Sequence, residues 1–372
     1  MNLVCQREPL LAAFQTVASV VPQRSPKPIL QNVKLEVTGQ SAFLLATDLE
    51  IGIRCEVPGI EIRVPGSAIL PVGRFGSILR ESTDDTLHIE AQPDKVTIRG
   101  ERSVFHLPSV DPAEYPAVAG FQETKYQEVA GRLFRELVRR TVFATDTEST
   151  RFALGGVLWE LAGDKFTAVA TDGRRLAKME GPCQSVGGAP PGEGNTIVPS
   201  RALQLMDRAL GDFDGEVQIA CRTNDVLVRT PQVTIYSRLV EGRFPRWRDV
   251  FPDRKNAQQI ELTVGPTFSA LRQAAIVASE ESRGVDFRFA EGTMTLQGAS
   301  ADKGDAKVEM PVGYTGGPLE ITLDHRFVAD FLKVLDPQKT FTLEMTDSDS
   351  AALCSTDDGY AYVIMPLARD RR

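Results

Sequence analysis

The chain carries one plan three times over its 372 residues, and that repetition limits the folds open to it. The run from Phe166 to Met179 opens as an apolar, β-forming strand and breaks at Asp172-Gly173, a turn dipeptide. Two cations, Arg174 and Arg175, follow, and Leu176 closes the motif. A weaker copy, Leu44-Leu-Ala-Thr-Asp-Leu-Glu-Ile51, sets its Thr-Asp pair 124 residues earlier (171 − 47). Arg74, Arg201 and Arg326 sit at matching places in three helical patterns, 127 and 125 residues apart (201 − 74 and 326 − 201). A chain of this length is too long for one hydrophobic core and suits two or three domains.

Each third contains two helical patterns. Leu10, Leu11, Phe14, Val17, Ala18 and Val21 form one apolar stripe, Leu133, Phe134, Leu137 and Thr141 a second, and Phe268, Leu271, Ala275 and Ala278 a third. The second set starts near Pro71, Pro199 and Asp324, residues suited to helix N-termini. Between the helices lie runs such as Val33 to Val37, Val217 to Cys221 and Tyr360 to Met365, many alternating apolar and polar residues. Two helices and roughly eight strands per third, with the strands in runs, predict an α+β fold rather than a parallel α/β sheet. Ala117 to Gln127 and Arg248 to Gln258 read as linkers, which gives domains at 1–120, 128–252 and 256–372. The Gly/Pro-rich run Gly181 to Asn195 reads as a flexible loop inside the middle third.

The chemistry of most enzyme classes is missing from the sequence. It has no phosphate-binding Gly-rich loop and no Gly-x-Ser-x-Gly elbow, so no catalytic residue, cofactor or metal is expected. His88, His106 and His325 are not at metal-ligand spacing from one another. A hydrolase using Asp172 with a histidine stays open, as does a monomeric scaffold of repeated domains. Five cysteines without a Cys-x-x-Cys pair read as reduced, mostly buried thiols of a cytoplasmic protein. The formal net charge of −8 argues against coating nucleic acid with the whole surface but leaves a local basic face open. No apolar run reaches membrane-spanning length, so no membrane partner is expected.

Thr171-Asp-Gly-Arg-Arg-Leu176 with Ala177, Glu241-Gly-Arg-Phe-Pro245 and Tyr362-Val-Ile-Met-Pro-Leu367, on three α+β repeats, resemble the β subunit of bacterial DNA polymerase III, the sliding clamp. The resemblance covers the whole chain. It implies the DNA clamp fold: three domains of two βαβββ units each, helices lining a ring and antiparallel sheets outside. It also implies a head-to-tail homodimer around double-stranded DNA that tethers the polymerase and confers processivity.

Phe105 and Leu107 of one subunit would then meet Ile276 and Val277 of the other; from the residues alone these four are equally plain core. Diffuse phosphate attraction, which permits sliding, would come from Arg24, Lys27, Arg74, Arg132, Arg135, Arg139 and Arg201. Arg132, Arg135 and Arg139 share one helix face; a solvated face with Glu136 as partner fits the same spacing. An apolar cleft for short linear peptides would be built from Leu154, Thr171, Gly173, Arg174, Arg175, Leu176, Pro245, Val250, Val363, Ile364, Met365, Pro366 and Leu367. The expected partners are the polymerase III alpha subunit, the clamp loader delta subunit, and other polymerases and repair proteins. Val363 to Leu367 also reads as a terminal edge strand. Arg174 stands where many relatives carry an aromatic residue or histidine.

Overall fold

A computed structural model describes residues 1–146, 148, 152–189, 195–252 and 254–368. Among the described residues the chain runs strand, helix, three strands six times. The first module is β1 (Asn2–Gln6), α1 (Arg7–Ala18), β2 (Asn32–Val37), β3 (Ala42–Thr47) and β4 (Ile51–Glu56). After an extra strand, β5 (Ile60–Val64), come β6 (Gly66–Pro71), α2 (Val72–Glu81), β7 (Thr86–Ala91), β8 (Lys95–Arg99) and β9 (Val104–Pro108). The third module is β10 (Tyr126–Ala130), α3 (Gly131–Arg139), β11 (Gly156–Ala162), β12 (Lys165–Thr171) and β13 (Arg175–Pro182). A short β14 (Gln184–Val186) precedes β15 (Ile197–Pro199), α4 (Ser200–Leu210), β16 (Glu216–Cys221), β17 (Asp225–Arg229) and β18 (Val233–Arg238). The fifth is β19 (Gln258–Thr263), α5 (Val264–Ala274), β20 (Gly284–Ala290), β21 (Thr293–Ser300) and β22 (Gly304–Pro311). The sixth is β23 (Leu319–Asp324), α6 (His325–Lys333), β24 (Thr340–Met345), β25 (Ala352–Ser355) and β26 (Tyr360–Ile364). The α+β expectation holds.

The modules interlock by exchanging their first strands. β1 joins β7, β8 and β9, whereas β6 joins β2, β3 and β4, and the later pairs of modules exchange in the same way. The result is two compact units. Residues 1–134, 184–190 and 201–239 form the first, with sheets ordered β5-β1-β7-β8-β9 and β14-β10-β16-β17-β18-β4-β3-β2-β6. Residues 135–183, 191–200 and 240–372 form the second, with sheets β15-β11-β12-β13-β26-β25-β24-β19 and β22-β21-β20-β23. The middle sequence repeat is therefore shared between both units. The two long sheets have one design: β4 pairs antiparallel with β18 in the first, and β13 with β26 in the second.

Burial follows from the residue pattern. β2 alternates half-buried and buried positions, with Val33, Leu35 and Val37 inside. Helix α1 buries Leu10, Phe14 and Val17, and Phe14 meets Phe75 of α2 edge-on at 5.3 Å between ring centroids. Gly76 makes that approach feasible, since a Cβ there would lie 2.8 Å from the Phe14 ring. Asp324 caps α6, accepting the Arg326 N–H at 2.9 Å. None of the five cysteines is joined in a disulfide; Cys221 is half-buried and the other four are buried. Burial pushes the thiols of Cys5 and Cys354 up to about 12.

Four sequence expectations need correction. Gly181 to Asn195 is not one loop: its first two residues finish β13, and β14 pairs with β10, with 190–194 outside the described residues. Arg248 to Gln258 is not a bare linker, because Trp247–Val250 forms a 3-10 turn and Phe251 packs on the core beside it. The third apolar stripe holds only in part: Leu271 and Ala278 are buried, Phe268 and Ala275 are half-buried, and Val264, Thr267, Ala270 and Ala274 complete the buried face of α5, which gives way to a tighter 3-10 turn at Ala275–Val277. Finally, β26 is no edge strand: β13 flanks it on one side and β25 on the other.

Candidate functional site: a groove at the ends of four strands

The Thr171–Arg175 segment connects β12 to β13 by a turn that its own side chains hold. The Thr171 hydroxyl donates to the Arg175 carbonyl at 2.6 Å and accepts the Gly173 N–H at 3.0 Å. One carboxylate oxygen of Asp172 accepts the N–H groups of Arg174 and Arg175 at 2.9 and 3.0 Å. Gly173 sits at φ +88°, where a residue without Cβ costs least.

A row of cross-strand neighbours runs from this turn. Thr171 pairs with Leu176, Leu176 with Val363, and Val363 with Leu353, so four strands present these side chains on one face. Leu158, Val169, Ile197, Phe244 and Trp247 extend the same apolar cluster. Above it lies a groove of about 780 Å³. Val250 and Met365 stand on its wall 41% and 43% exposed, large apolar surface open to a ligand.

Ten of the thirteen residues singled out for a cleft line this groove: Leu154, Thr171, Gly173, Arg174, Arg175, Leu176, Pro245, Val250, Val363 and Met365. Ile364, Pro366 and Leu367 are not among its lining residues. Ile364 is buried in β26, and the Leu367 N–H bonds the Thr322 carbonyl at 2.9 Å, which draws the end of the chain toward β23. Sequence reasoning missed Trp247, Phe251 and Ala351. The Trp247-x-x-x-Phe251 spacing just after Pro245 was the available signal; the rings meet edge-on at 5.9 Å.

The two arginines of the motif differ. Arg175 is tied down: it donates to Asp172 at 3.0 Å, Asp330 at 2.7 Å, Tyr362 at 3.4 Å and the Phe143 carbonyl at 2.9 Å, with the Phe327 ring 4.4 Å away. Burial works against its charge, but Tyr362, Asp330 and Asp172 outweigh it and hold the guanidinium protonated. Arg174 is exposed, and its guanidinium has no ion-pair partner among the described residues. Asp172 is spent on the turn and on Arg175, which leaves the acid–base reading of this carboxylate without support.

The other predicted surfaces are scattered through the fold. Arg24 and Lys27 lie exposed between α1 and β2; Arg74 is exposed on α2. Arg132 and Arg139 are exposed on α3, with Arg135 half-buried. Glu136 pairs with Arg140 at 2.6 Å, so it is not simply a partner to that outer face. Arg201 is bound to Asp48 at 2.6 Å. Phe105 and Leu107 belong to β9, a sheet edge, with Leu107 buried. Ile276, 73% exposed, and Val277 lie in the turn after α5, which packs on the edge strand β22.

Repeated βαβββ modules with exchanged strands and a groove at the junction of two modules define a protein of the DNA-clamp class. Comparison with known proteins then gives the family. Profiles of the DNA polymerase III beta subunit match the chain in succession: the N-terminal domain over 1–119, the central domain over 128–246 and the C-terminal domain over 248–368. The beta sliding clamp of Pseudomonas aeruginosa is 32% identical over 99% of this chain and 100% of its own length. That of Escherichia coli K12 is 27% identical over 99% and 100%. Among solved structures, the Pseudomonas aeruginosa clamp bound to griselimycin superposes with a TM-score of 0.92 at 30% identity, covering 99% of this chain and 100% of that one. The chain belongs to the bacterial DNA polymerase III beta subunit family, and its function is that of a DNA sliding clamp in replication, a family whose rings encircle DNA and confer processivity.

Proposed function

We propose that this clamp works as a head-to-tail homodimer in the cytoplasm, organised as domains 1–120, 128–252 and 256–372, and that it performs no reaction of its own. The groove is its docking site for short peptides carried by the polymerase III alpha subunit, the clamp loader delta subunit, and other polymerases and repair proteins. The observation that carries this reading is the Thr171–Leu176–Val363–Leu353 row: an apolar floor with exposed Val250 and Met365 beside it suits Leu and Phe anchors. Met365 suits a site that must accept varied partners.

Subunit contact is assigned to the free edges β9 and β22, through Phe105 and Leu107 against Ile276 and Val277. An exposed isoleucine beside an unpaired strand edge is a surface that favours covering. Arg24, Lys27, Arg74, Arg132, Arg135, Arg139 and Arg201 are assigned to phosphate attraction. Arg201 is the weakest of them, because Asp48 already neutralises it.

The deciding experiment is retention on DNA after loading. The clamp should stay on circular duplex and slip from linearised duplex; equal loss from both would sink the encircling reading for this chain. Sedimentation in reducing buffer should give twice the 40.7 kDa chain mass, and a monomer at micromolar concentration would count against the dimer. Reversal of Arg132, Arg135 and Arg139 to glutamate should weaken DNA association at low salt, with the difference shrinking as salt rises. Unchanged retention would remove this face from the DNA-binding set.

A further inference from the structure

Arg174 and Arg175 are neighbours in the chain and opposites in the fold. Arg175 is consumed by four hydrogen-bond partners, whereas Arg174 lines the groove exposed and without an ion-pair partner among the described residues. Several exposed arginines of this acidic chain are neutralised, Arg201 by Asp48, Arg238 by Glu50, Arg248 by Glu160, Arg254 by Glu344 and Arg288 by Glu320, while Arg174 shares its open state with others such as Arg24, Arg74 and Arg243 but alone of these lines the groove. A cation left uncompensated on the wall of an apolar groove is available to a ligand.

Arg174 is also rigidly mounted. Its N–H is held by Asp172 at 2.9 Å, and its carbonyl accepts the Met365 N–H at 2.9 Å, which fixes the backbone on both sides of the groove corner. Across the end of β26, the turn between β24 and β25 brings Asp349 to the same groove. That turn is equally firm: Asp347 accepts the N–H groups of Asp349 and Ser350 at 2.9 and 2.7 Å. The groove is thus apolar along its floor, positive at the β12–β13 turn and negative at the β24–β25 turn, with a further exposed carboxylate, Asp249, on the 3-10 turn beside Val250. A floor of this kind lowers the local dielectric and strengthens a charge pair at its margin.

We propose that the groove reads charge as well as apolar anchors: its ligand is a Leu/Phe-anchored peptide with an acidic side chain that pairs with Arg174, and Asp349 disfavours a second acid at the opposite lip. The inference rests on the groove being a peptide-docking site, and it adds the polarity of the peptide and the residue that selects it. A guanidinium recognises a carboxylate through paired N–H donors, a geometry lysine or histidine does not reproduce.

The test uses the full-length clamp and a labelled peptide carrying Leu and Phe anchors, read by fluorescence anisotropy at low salt. Four versions are compared: glutamate before the anchors, glutamate after them, and lysine at each of those places. For one placement, glutamate should bind wild type about tenfold tighter than lysine, a size typical of a charge-assisted pair. Arg174→Glu should invert that ranking while the melting temperature stays unchanged, and Asp349→Lys should relieve the penalty on glutamate at the other placement. The preference should fade as salt rises. Equal binding of all four peptides to wild type, or a ranking indifferent to Arg174→Glu, overturns the charge reading while leaving the docking site in place. Binding of none of the four overturns the docking reading and this inference with it. A variant that loses duplex DNA but keeps the glutamate preference would assign Arg174 to phosphate instead.

Discussion

The junction of β4 with β18 and the junction of β13 with β26 share one backbone but not one surface. Thr47 and Asp48 fold the β3–β4 turn by the same bonds that Thr171 and Asp172 use. Thr47 donates to the Ile51 carbonyl at 2.8 Å and accepts the Leu49 N–H at 2.9 Å; Asp48 accepts from Glu50 and Ile51 at 3.0 and 2.7 Å. The Arg238 N–H bonds the Glu50 carbonyl at 2.9 Å, as Met365 bonds Arg174. Even the cross-strand row recurs, as Thr47, Gly52, Tyr236 and Leu227.

What differs is what stands on the row. Gly52 replaces Leu176 and Tyr236 replaces Val363, and Val118 lies so close over Gly52 that a Cβ there would meet it at 3.1 Å. The charges of the first turn are matched internally, Asp48 with Arg201 and Glu50 with Arg238, while the second leaves Arg174 open. A duplicated frame therefore carries a groove where its side chains leave the row uncovered, with Arg174 unpaired among the described residues. The backbone alone does not make the site.

That contrast can be broken in graded ways. The largest effect should come from Arg175→Met, which strands the carboxylates of Asp172 and Asp330. Breaking a largely buried pair costs about 3 kcal/mol, and a melting temperature within a degree of wild type would refute the hub role of Arg175. Its counterpart Ile51→Met should be tolerated at about 1 kcal/mol, as a volume-conserving apolar swap.

Grafting the first row onto the second is the next test. Val363→Tyr, alone and with Leu176→Gly, should weaken a Leu/Phe peptide about a hundredfold, the equivalent of about 2.7 kcal/mol. Tyr236→Val in the first unit should leave that affinity unchanged. Circular dichroism of the single variant separates a filled groove from a lost fold, and an unaltered affinity in a folded Val363→Tyr protein would move the docking site elsewhere.

Smaller effects belong to the turns themselves. Leu49 sits at φ +80° with a side chain, so Leu49→Gly should stabilise by about 1 kcal/mol, whereas Gly173→Ala should cost about the same. Both are read as shifts in the denaturation midpoint, and shifts of like sign would contradict the shared geometry. Thr47→Val and Thr171→Val should each cost about 0.5–1.5 kcal/mol, the worth of a hydrogen bond. A cost confined to one of them would mean the two turns are not held alike.

Much of the fold could be read from local pattern. The helix starts at Pro71, Pro199 and Asp324 and the strand runs around Val33, Val217 and Tyr360 followed from capping chemistry and alternation. The third helical stripe holds at Leu271 and Ala278 but not at Ala275, where a change from α to 3-10 geometry leaves no mark in residue type. At the groove, resemblance supplied most of the lining, but Trp247 goes unnoticed in the sequence and Phe251 falls in the stretch read as a linker. Their burial depends on a surface that does not exist until the strands meet.

The α+β class and the Thr-Asp turn were determined by the sequence itself, since each depends on residues a few positions apart, and the repeated plan by the recurrence of such local patterns about 125 residues on. The exchange of first strands and the pairing of β13 with β26 were decided only by the tertiary structure. Backbone hydrogen bonds between strands do not distinguish one partner from another, so the order of strands in a sheet is settled by which arrangement buries the apolar faces together. Thr171, Leu176 and Val363 become one floor for that reason, across nearly the whole second half of the chain, and no local pattern announces it.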